Sequence, residues 1–472
     1  MALAIFSEAR RKWWTLAAVS FGLFMIMLDN TVVNVALPTI QRDLDATLSQ
    51  LEWVVTGYAL TFAAFMLIGG KVADAYGRRR IFVVGIVVFT IASLLCGLAA
   101  SGEMLIGARV LQGVGAALMN PATLSIIAAT FPPAQRGAAI GIWAGVSALA
   151  LAIGPLVGGL LTQHLSWHWI FFVNIPVGVL AIAASYLLIP ESKDDTHESL
   201  DLPGLATSAL GLFALTYGLI EANAYGWTSA RILGSFVVAV VALAAFLTIE
   251  RRRRAPMLDL TLFRSGTYAG ANLVMLLVAL AMFGVFFFVS LYMQNVLGYS
   301  AVQAGAAFLP MTILIILVAP VAGKLSDRHG SRWLMSTGMV LLGAQLLYFS
   351  QLGTDAGFWN LLPAMLVGGF GMALTMTPTA AAAVRAVPVE KSGVGSAVLN
   401  AMRQVGGSVG IALMGAIVAN EATGRSPVEG FMAGFERALL VAAAIAFVGS
   451  LVAFALVRQE AGHEEAPVEV AA

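Results

Sequence analysis

The sequence is poor in charge: Asp, Glu, Lys and Arg make up 11% of its 472 residues, while hydrophobic residues make up 60%. Soluble domains carry about 25% charged residues, so this composition excludes a soluble globular protein. The formal net charge is only +1, which argues against nucleic acid as a partner. The one cysteine, Cys96, lies in an apolar run, so no intrachain disulfide can form.

Motifs for nucleotide, metal or nucleophilic chemistry are also missing from the sequence. It contains no GxxxxGK[ST] phosphate-binding loop, so ATP is not the direct energy source by that route. The histidines occur in loops or at predicted helix ends, without metal-ligand spacing, and no Ser/His/Asp set is suggested by position. We therefore expect a protein that is not an enzyme and that has no cofactor or metal.

Long hydrophobic runs are what the sequence has in abundance. A helix needs about 20 apolar residues to cross a bilayer, and we predict fourteen such spans. They are 13–37, 51–72, 80–99, 104–128, 137–162, 167–189, 203–222, 229–249, 267–293, 303–323, 332–350, 358–383, 394–418 and 436–457. The first run is too long for a signal-peptide core, so we interpret it as a retained helix.

The Lys and Arg residues predict the orientation of these spans. With fourteen spans and a cytoplasmic N-terminus, most of the 26 Lys and Arg residues fall in cytoplasmic segments, as the positive-inside rule requires. A missed or extra helix would reverse every later loop and remove that asymmetry. The pattern predicts a multi-pass protein of the bacterial cytoplasmic (inner) membrane with both termini cytoplasmic.

An internal repeat predicts the domain organisation. The segments GKVADAYGRR (70–79) and GKLSDRHGSR (323–332) match at five positions, and GVGAALMNP (113–121) resembles GFGMALTMTP (369–378). The first pair follows spans 2 and 10, so the repeats have the same orientation in the membrane, as in one large transporter class. We predict four regions: a six-helix half (1–190), a linker with two extra helices (191–265), a second six-helix half (266–458) and a disordered tail (459–472).

The first span, FGLFMIMLDNTVVNVALPTI (21–40), holds a carboxylate near its middle, Asp29. Ionisable residues inside a membrane are costly and mark functional sites. Asn30 and Asn34 share one helix face, and Asp29 lies one position around from them. We interpret Asp29 as a group that binds the proton, the substrate or both by turns. The alternative is a structural Asp paired with Arg109.

Arg109 belongs to a helical stripe in span 4 that also contains Gln112, Ala116 and Asn120. An intramembrane Arg without a partner costs at least about 2.5 kcal/mol on insertion scales. We therefore expect Arg109 to face the bundle interior and find an acceptor. The alternative is that its long side chain only reaches for the membrane surface.

Span 5 is rich in glycine, with Gly141 and Gly145 at four-residue spacing. Farther along the span come two pairs: Gly154 with Pro155, and Gly158 with Gly159. Small residues at such spacing allow close helix packing, while a helix proline permits a kink. We expect both effects in this span.

Together these segments resemble the fourteen-helix drug:proton antiporters (EmrB/QacA type) of the major facilitator superfamily. The motifs that carry the resemblance are LDNTVVNVALPTI (28–40), GGKVADAYGRRR (69–80), RVLQGVGAALMNPA (109–122), AIGPLVGG (152–159), WHWIFFVNIPVG (167–178), LYMQNVLGYSAVQAG (291–305) and RQVGGSVG (403–410). The resemblance implies an all-α membrane protein with the major facilitator fold: two six-helix halves plus two extra central helices.

The resemblance also implies roles for individual residues. Arg109 and Gln112 would serve proton translocation, and the span-5 motif is typical of antiporters rather than symporters. The loop after span 2, with Gly70, Asp74, Gly77, Arg78 and Arg79, would clasp the halves shut on the cytoplasmic side. Candidates in the second half are Tyr292, Gln294, Asp327, Arg403 and Gln404. Glu221, near the end of span 7, is either a substrate acid or a hydrated interfacial group.

The resulting functional prediction is a proton-coupled multidrug efflux antiporter. It would export amphipathic, often cationic compounds by alternating access, through a cavity lined by Phe and Met side chains from the segment 279–294. One alternative is a dedicated exporter of one endogenous metabolite, lipid or antibiotic; a weaker one is a non-transporting membrane sensor or scaffold. Expected partners are small substrates, protons and membrane lipids, the last through the basic run 250–256. We expect a monomer, with a periplasmic adaptor if the source is Gram-negative.

Overall fold

The computed structural model describes residues 8–193, 201–253, 256–388, 392–422 and 424–458. Within these ranges the chain forms helices and turns, with no strand. The predicted disordered tail (459–472) lies outside the described residues, as do 194–200 of the linker and 254–255 of the basic run.

The helices follow the predicted spans closely. They are α1 (Glu8–Asp43), α2 (Leu48–Tyr76), α3 (Arg78–Gly97), α4 (Gly102–Thr130), α5 (Pro133–His164), α6 (Trp169–Phe172), α7 (Asn174–Leu188), α8 (Leu202–Tyr225), α9 (Ala230–Arg252), α10 (Gly266–Leu291), α11 (Ala301–Ala307), α12 (Leu309–His329), α13 (Arg332–Phe349), α14 (Phe358–Arg385), α15 (Ser392–Ala422) and α16 (Pro427–Leu456). Spans 6 and 10 are each broken into two helices, α6 with α7 and α11 with α12.

Most of these helices are long and apolar enough to cross a membrane. In the part of the chain that the structure describes, eleven segments meet this description by length and composition. The number is twelve if Leu48–Met66 and Ile68–Tyr76, which meet at an angle of 51°, form one span. The chain is therefore a multi-pass membrane protein, and the predicted count of fourteen spans is consistent with this structure.

Local sequence signals determine where α2 begins and ends. At its start, the Gln50 N–H donates to Thr47 Oγ1 at 3.2 Å and the Thr47 N–H donates to Gln50 Oε1 at 3.0 Å. This reciprocal capping satisfies backbone donors that the first turn leaves free. At its end, Gly77 has a φ of +110°, a conformation that favours glycine. A one-residue turn can therefore connect α2 to α3.

The same pattern of helix packing occurs twice along the chain. In the first part, α1 packs on α5 and α7, and α4 packs on α2 and α3. In the second part, α10 packs on α15 and α16, and α14 packs on α12 and α13. The helices that correspond in this comparison are the ones that the sequence repeat relates. Between the two sets, α2 packs on α15 and α5 packs on α11 and α12.

The two extra helices lie beside the two sets rather than between them. Helices α8 and α9 pack on each other, and α8 also contacts α2 and α15. The pair therefore adjoins the line along which α2 and α15 meet. Arg253, after α9, donates to the buried carboxylate of Asp201, which precedes α8, at 2.6 Å. This ion pair connects the two ends of the extra hairpin.

Consecutive spans run in opposite directions, so the loops divide between two ends of the molecule. We name these ends after one residue in each: the Asp45 end, with the α1–α2 loop, and the Gly77 end, with the α2–α3 turn. Among the described residues, hydrogen bonds between α1–α7 and the segment from α10 to α16 occur only towards the Asp45 end. They are Ser290 Oγ to Asn34 O (2.9 Å), Gln294 Nε2 to Val35 O (2.9 Å) and Val302 N to Gln163 Oε1 (3.1 Å).

The glycines of α5 are closely packed towards the Asp45 end and open towards the Gly77 end. A Cβ atom on Gly158 would lie 2.6 Å from the carbonyl oxygen of Val32 on α1, and one on Gly159 would lie 2.5 Å from that of Ala301 on α11. These glycines permit backbone contact towards the Asp45 end. Gly141 and Gly145 lie nearer the Gly77 end. A Cβ atom added to either of them would have no atom of another segment within 4 Å. The expectation of close packing is wrong for these two, because the two sets of helices stand apart there.

The contrast along α5 gives a matched prediction for stability. Gly158→Ala forces a methyl group into the α1 backbone, so we expect a loss of about 1–3 kcal/mol and a lower midpoint of thermal unfolding in detergent. Gly145→Ala faces open space and gains up to about 1 kcal/mol of helix propensity, so its midpoint should stay equal or rise. Equal midpoints for the two variants would contradict the packing described here.

Candidate functional site

An ion pair between α1 and α4 lies in the interior of the first half. The Arg109 guanidinium donates from Nη1 to Asp29 Oδ2, and each residue is 1% exposed. Arg109 therefore faces the bundle interior, as the sequence predicts, and does not reach the membrane surface. In a low-dielectric interior such a pair is strong, and either partner alone would be a costly buried charge.

Gln112, one turn farther along α4, closes this pair into a triangle. Arg109 Nη1 donates to Gln112 Oε1 at 2.6 Å, and Gln112 Nε2 donates to Asp29 Oδ1 at 2.9 Å. The amide thus accepts from the cation and donates to the anion at once. Both carboxylate oxygens of Asp29 therefore accept hydrogen bonds in this arrangement.

Two further polar residues, not identified from the sequence, complete the network. Ser93 on α3 accepts from Gln112 Nε2 at 2.8 Å. Asn174 on α7 donates to Asp29 Oδ1 at 3.5 Å and to Ser93 Oγ at 3.4 Å. A signal was available, because both are polar residues within apolar runs, where a polar side chain needs a partner.

The guanidinium of Arg109 is covered on its remaining sides by α2. Its Nε atom donates to the carbonyl oxygen of Val54 at 3.0 Å. Its Cζ atom lies 4.3 Å from the centroid of the Tyr58 ring, within the range of a cation–π interaction. Neither contact was predicted from the sequence. The network therefore joins α1, α2, α3, α4 and α7, and any change of charge at Asp29 affects all five helices.

Asn30 and Asn34 do not take part in this network. Their side-chain amides donate to their own helix, Asn30 Nδ2 to Ile26 O at 3.0 Å and Asn34 Nδ2 to Asn30 O at 3.4 Å. Both are partly exposed. In this arrangement the two amides are not bonded to Asp29, and a role of Asn30 and Asn34 in binding a substrate stays a prediction.

The predicted gating loop is bonded to its own half and to the linker region, where Lys71 Nζ donates to the carbonyl oxygen of Pro256 at 3.1 Å. Asp74 pairs with Arg78 at 2.7 Å, the backbone N–H of Arg79 donates to Glu191 Oε1 at 3.1 Å, and Gly70 approaches Pro121 on α4. Among the described residues, the polar contacts of Asp74, Arg78 and Arg79 do not reach the segment from α10 to α16. That is what an open Gly77 end requires, and the clasping role of the loop stays a prediction.

The equivalent loop of the second half has an analogous arrangement. Arg385, at the end of α14, donates to Asp327 at 2.6 Å, to Ser331 at 2.7 Å and to Ser326 at 3.0 Å. The acid of each repeat is thus paired with an arginine of the same half. This equivalence adds Arg385 to the residues that the sequence comparison identified.

The remaining second-half candidates lie in three different places. Gln294 bonds to α1 at the Asp45 end, and Tyr292 stacks on Phe435 with ring centroids 5.1 Å apart. Arg403 Nε and Gln404 Nε2 are buried atoms without a hydrogen-bond partner in the described part of the chain. None of these residues is hydrogen-bonded to the Asp29 network.

Glu221 is not a simply hydrated acid. Its Oε1 atom accepts from Ser49 Oγ at 2.8 Å and from Trp53 Nε1 at 3.1 Å, both on α2. The interpretation of Glu221 as a hydrated interfacial group is therefore wrong, because its carboxylate hydrogen-bonds α8 to α2.

The Phe and Met side chains of α10 are mostly inside the protein. Phe287 and Phe288 are fully buried. Met282 and Phe286 line a small apolar cavity. Met311 of α12 and Phe308, the residue before α12, line its other side. The segment predicted to line the substrate cavity thus packs largely against its own half in this arrangement.

These observations define a class of protein. In the part of the chain that the structure describes, many membrane-length helices form two sets with the same packing pattern, and hydrogen bonds join the sets towards the Asp45 end. A buried ion pair lies inside one set, beside the surface where the sets meet. This is the architecture of a carrier that exposes its central site to one side at a time.

Comparison with known proteins places the chain within that class. The family model described as "Major Facilitator Superfamily" matches residues 19–411 and also residues 271–472. The chain therefore belongs to the major facilitator superfamily, whose members act on small molecules.

Among its relatives is the "Tetracenomycin C resistance and export protein" of Streptomyces glaucescens, 38% identical over 87% of this chain and 76% of that protein. The "Puromycin resistance protein pur8" of Streptomyces alboniger is 37% identical over 98% of this chain and 94% of that protein. The "Multidrug resistance protein Stp" of Mycobacterium tuberculosis is 38% identical, over 87% of this chain and 76% of that protein.

Solved structures share the fold at low sequence identity. A bacterial homolog of the human lysosomal transporter Spinster, in an inward-facing and unoccupied conformation, has a TM-score of 0.68 and 18% identity. The alignment covers 95% of this chain and 97% of that one. A peptide transporter, POT, in complex with sulfate, has a TM-score of 0.67 and 15% identity over 93% of this chain and 94% of that one.

The buried ion pair predicts a double-mutant cycle. Asp29→Asn or Arg109→Gln alone leaves an uncompensated buried charge, so each should cost about 3–5 kcal/mol of stability. The double variant removes both charges and should recover most of that loss, as thermal unfolding in detergent would measure. As a control, Asp327→Asn breaks a pair whose side chains are 69% and 37% exposed and should cost about 1 kcal/mol or less. Additive losses in the double variant would contradict the pairing.

Proposed function

We propose that this chain is a proton-coupled exporter of amphipathic drugs in the bacterial cytoplasmic membrane. The Gly77 end and both termini would lie in the cytoplasm, as the distribution of Lys and Arg predicts. The names of the relatives support drug export. The observation that carries the proton coupling is the Asp29–Arg109–Gln112 triangle, a titratable group buried in the interior of a carrier half.

In the proposed cycle, Asp29 changes partner as the protein changes conformation. When the Asp45 end is open, a proton from outside binds the Asp29 carboxylate and cancels its charge. Arg109 then loses its counter-charge, and the contacts among the five helices of the network weaken. After the switch to the inward-facing state, the proton leaves to the cytoplasm and the ion pair seen here forms again. Exchange is coupled if substrate and proton compete for this one site.

The arrangement described here corresponds to the inward-facing state of that cycle. The two sets of helices touch at the Asp45 end, and α5 faces open space at Gly141 and Gly145. A substrate would therefore enter from the cytoplasm. A cationic group would meet Asp29 only after displacing Arg109, which gives the pair a gating role in substrate binding as well.

A dedicated exporter of one compound is the second candidate function. It is favoured by the relatives, several of which are named for resistance to a single antibiotic. The proton-coupling network would be the same in both cases. Only the breadth of transported compounds distinguishes the two candidates.

We further propose that the chain acts as a monomer whose basic segment after α9 touches anionic lipid. Arg251 and Arg252 are exposed at the end of α9, where a polybasic segment attracts negative headgroups. A periplasmic adaptor would join it only in a Gram-negative source.

Everted membrane vesicles energised by respiration test the proposed function. Addition of a transported compound should partly collapse the inside-acid proton gradient, as a pH-sensitive dye reports. A broad panel of amphipathic compounds should be active if the protein is a multidrug exporter, and a single compound if it is dedicated. Vesicles in which no compound from either group affects the gradient would contradict proton-coupled export.

A pair of substitutions tests the role of Asp29 in the same assay. Asp29→Asn should lower the substrate-induced collapse at least about tenfold, because the proton has lost its binding group. Asp45→Asn changes an exposed loop acid with a φ of +48°, which Asn tolerates, so it should behave as the unmodified protein. Undiminished exchange in Asp29→Asn would overturn the assignment.

A further inference from the structure

A second buried carboxylate, Glu52, lies between the two sets of helices. It belongs to the second turn of α2 at the Asp45 end and is 2% exposed. Its carboxylate lies against Gly415 of α15, where a Cβ atom would overlap with it. Glycine at 415 is therefore what leaves room for an acid in this contact. The contact exists only while the Asp45 end is closed.

The carboxylate of Glu52 has no compensating partner. In the described residues, no donor or cation is bonded to either of its carboxylate oxygens. The side-chain hydrogen bond at this residue is to its backbone, from Thr56 Oγ1 to Glu52 O at 2.7 Å. Helix α15 presents Gly415 to it, and the charged Glu421 farther along α15 is itself paired with Arg425 at 2.9 Å and with Arg437.

The other charged groups on helices packed against α2 are either paired elsewhere or far from Glu52. On α4, Arg109 is bound to Asp29 on α1, and Glu103 accepts from Gln50 at 2.6 Å. Arg78 of α3 is paired with Asp74 at the far end of α2. Arg403, inside the membrane on α15, lies about three turns from Gly415.

The charged group that acts on Glu52 is another acid. Glu221 of α8 lies beside it, because Glu221 accepts hydrogen bonds from Ser49 and Trp53, which flank Glu52 in α2. An ionised Glu52 would thus be buried, unpaired and next to a like charge. A charge in such a place costs far more than its neutral form. The closed arrangement accommodates Glu52 as a carboxylic acid.

We propose that Glu52 is a proton-binding site that must be filled for the Asp45 end to close. The inference rests on the alternating access of the proposed function. When α2 and α15 separate, water reaches Glu52 and the carboxyl group can release its proton to the medium on that side. On closure it takes a proton from the same medium.

This proton differs from the one assigned to Asp29. It enters and leaves at the Asp45 end, so it adds nothing to the number of protons carried across the membrane. Because closure binds a proton, acid outside favours the closed Asp45 end and the inward-facing state. An outward-facing carrier that has released its substrate would thus reset faster in acid surroundings, where the inward proton gradient is steep.

Distance measurements on the full-length protein test this proposal without a substrate. Spin labels are attached at Asp45→Cys and Asn295→Cys, exposed positions of the two halves at the Asp45 end, in a Cys96→Ala background. In lipid nanodiscs, the fraction with the long inter-label distance should rise with pH. Glu52→Gln, a neutral isostere of the acid, should hold the short distance at every pH. A pH response in Glu52→Gln equal to that of the parent would overturn the proposal.

Two further variants sharpen the result. Glu221→Gln removes the neighbouring acid, so the midpoint of opening should shift to lower pH. Glu103→Gln, an exposed acid at the same end, should leave the midpoint unchanged. An unshifted midpoint in Glu221→Gln would contradict the acid pair. Because these distances require no transport, failure of drug export in vesicles and failure of the Glu52 proposal are separate outcomes.

Discussion

The ion pair between Asp29 and Arg109 is the interaction on which the rest of the first half depends. Each charge is buried where neither water nor lipid can solvate it, so each is tolerated only because of the other. Gln112, Ser93 and Asn174 then satisfy the remaining oxygen and nitrogen atoms. An apolar bundle thus acquires one polar centre whose stability changes sharply with one proton. The proposed role of the ion pair in proton coupling depends on this property.

The closed Asp45 end shows how the same logic works at the contact between the halves. There the two sets approach through glycines, with Gly158 and Gly159 against neighbouring backbones. Close approach excludes water, and Glu52 is buried with no cation beside it. Closure of the Asp45 end is therefore linked to the charge of Glu52, as the packing of the first half is linked to the charge of Asp29. The difference is that the central site has a built-in counter-charge and the peripheral one has none.

Much of this architecture could be predicted from the sequence, because hydrophobic length and the repeat are local signals. The helices fall where the apolar runs do, and the repeated loops carry equivalent ion pairs at Asp74 and Asp327. The Asp29, Arg109 and Gln112 cluster was also predictable, since an isolated intramembrane charge requires a partner. The breaks within spans 6 and 10 were missed, although Pro176 and Pro310, each just after a break, were signals for them.

What the sequence could not supply is the set of contacts across helices. Tyr58, Ser93 and Asn174 reach the site from three helices, and nothing in one sequence states which faces of those helices meet. The surroundings of Gly145 and Glu221 were missed for a related reason. Small and acidic residues are compatible with close packing, open space or hydration, and the conformation of the whole carrier decides among these.

The central claim is that a proton and a substrate compete for Asp29. Titration calorimetry of a transported compound, in buffers that differ in ionisation enthalpy, measures it most directly, because the slope counts protons released on binding. The account predicts that the unmodified protein releases more protons on binding as the buffer is made more acid, because more of it then carries the competing proton, and that Asp29→Asn releases none, with binding retained in both. Equal release by the two proteins would show that the proton comes from another group and would contradict the account.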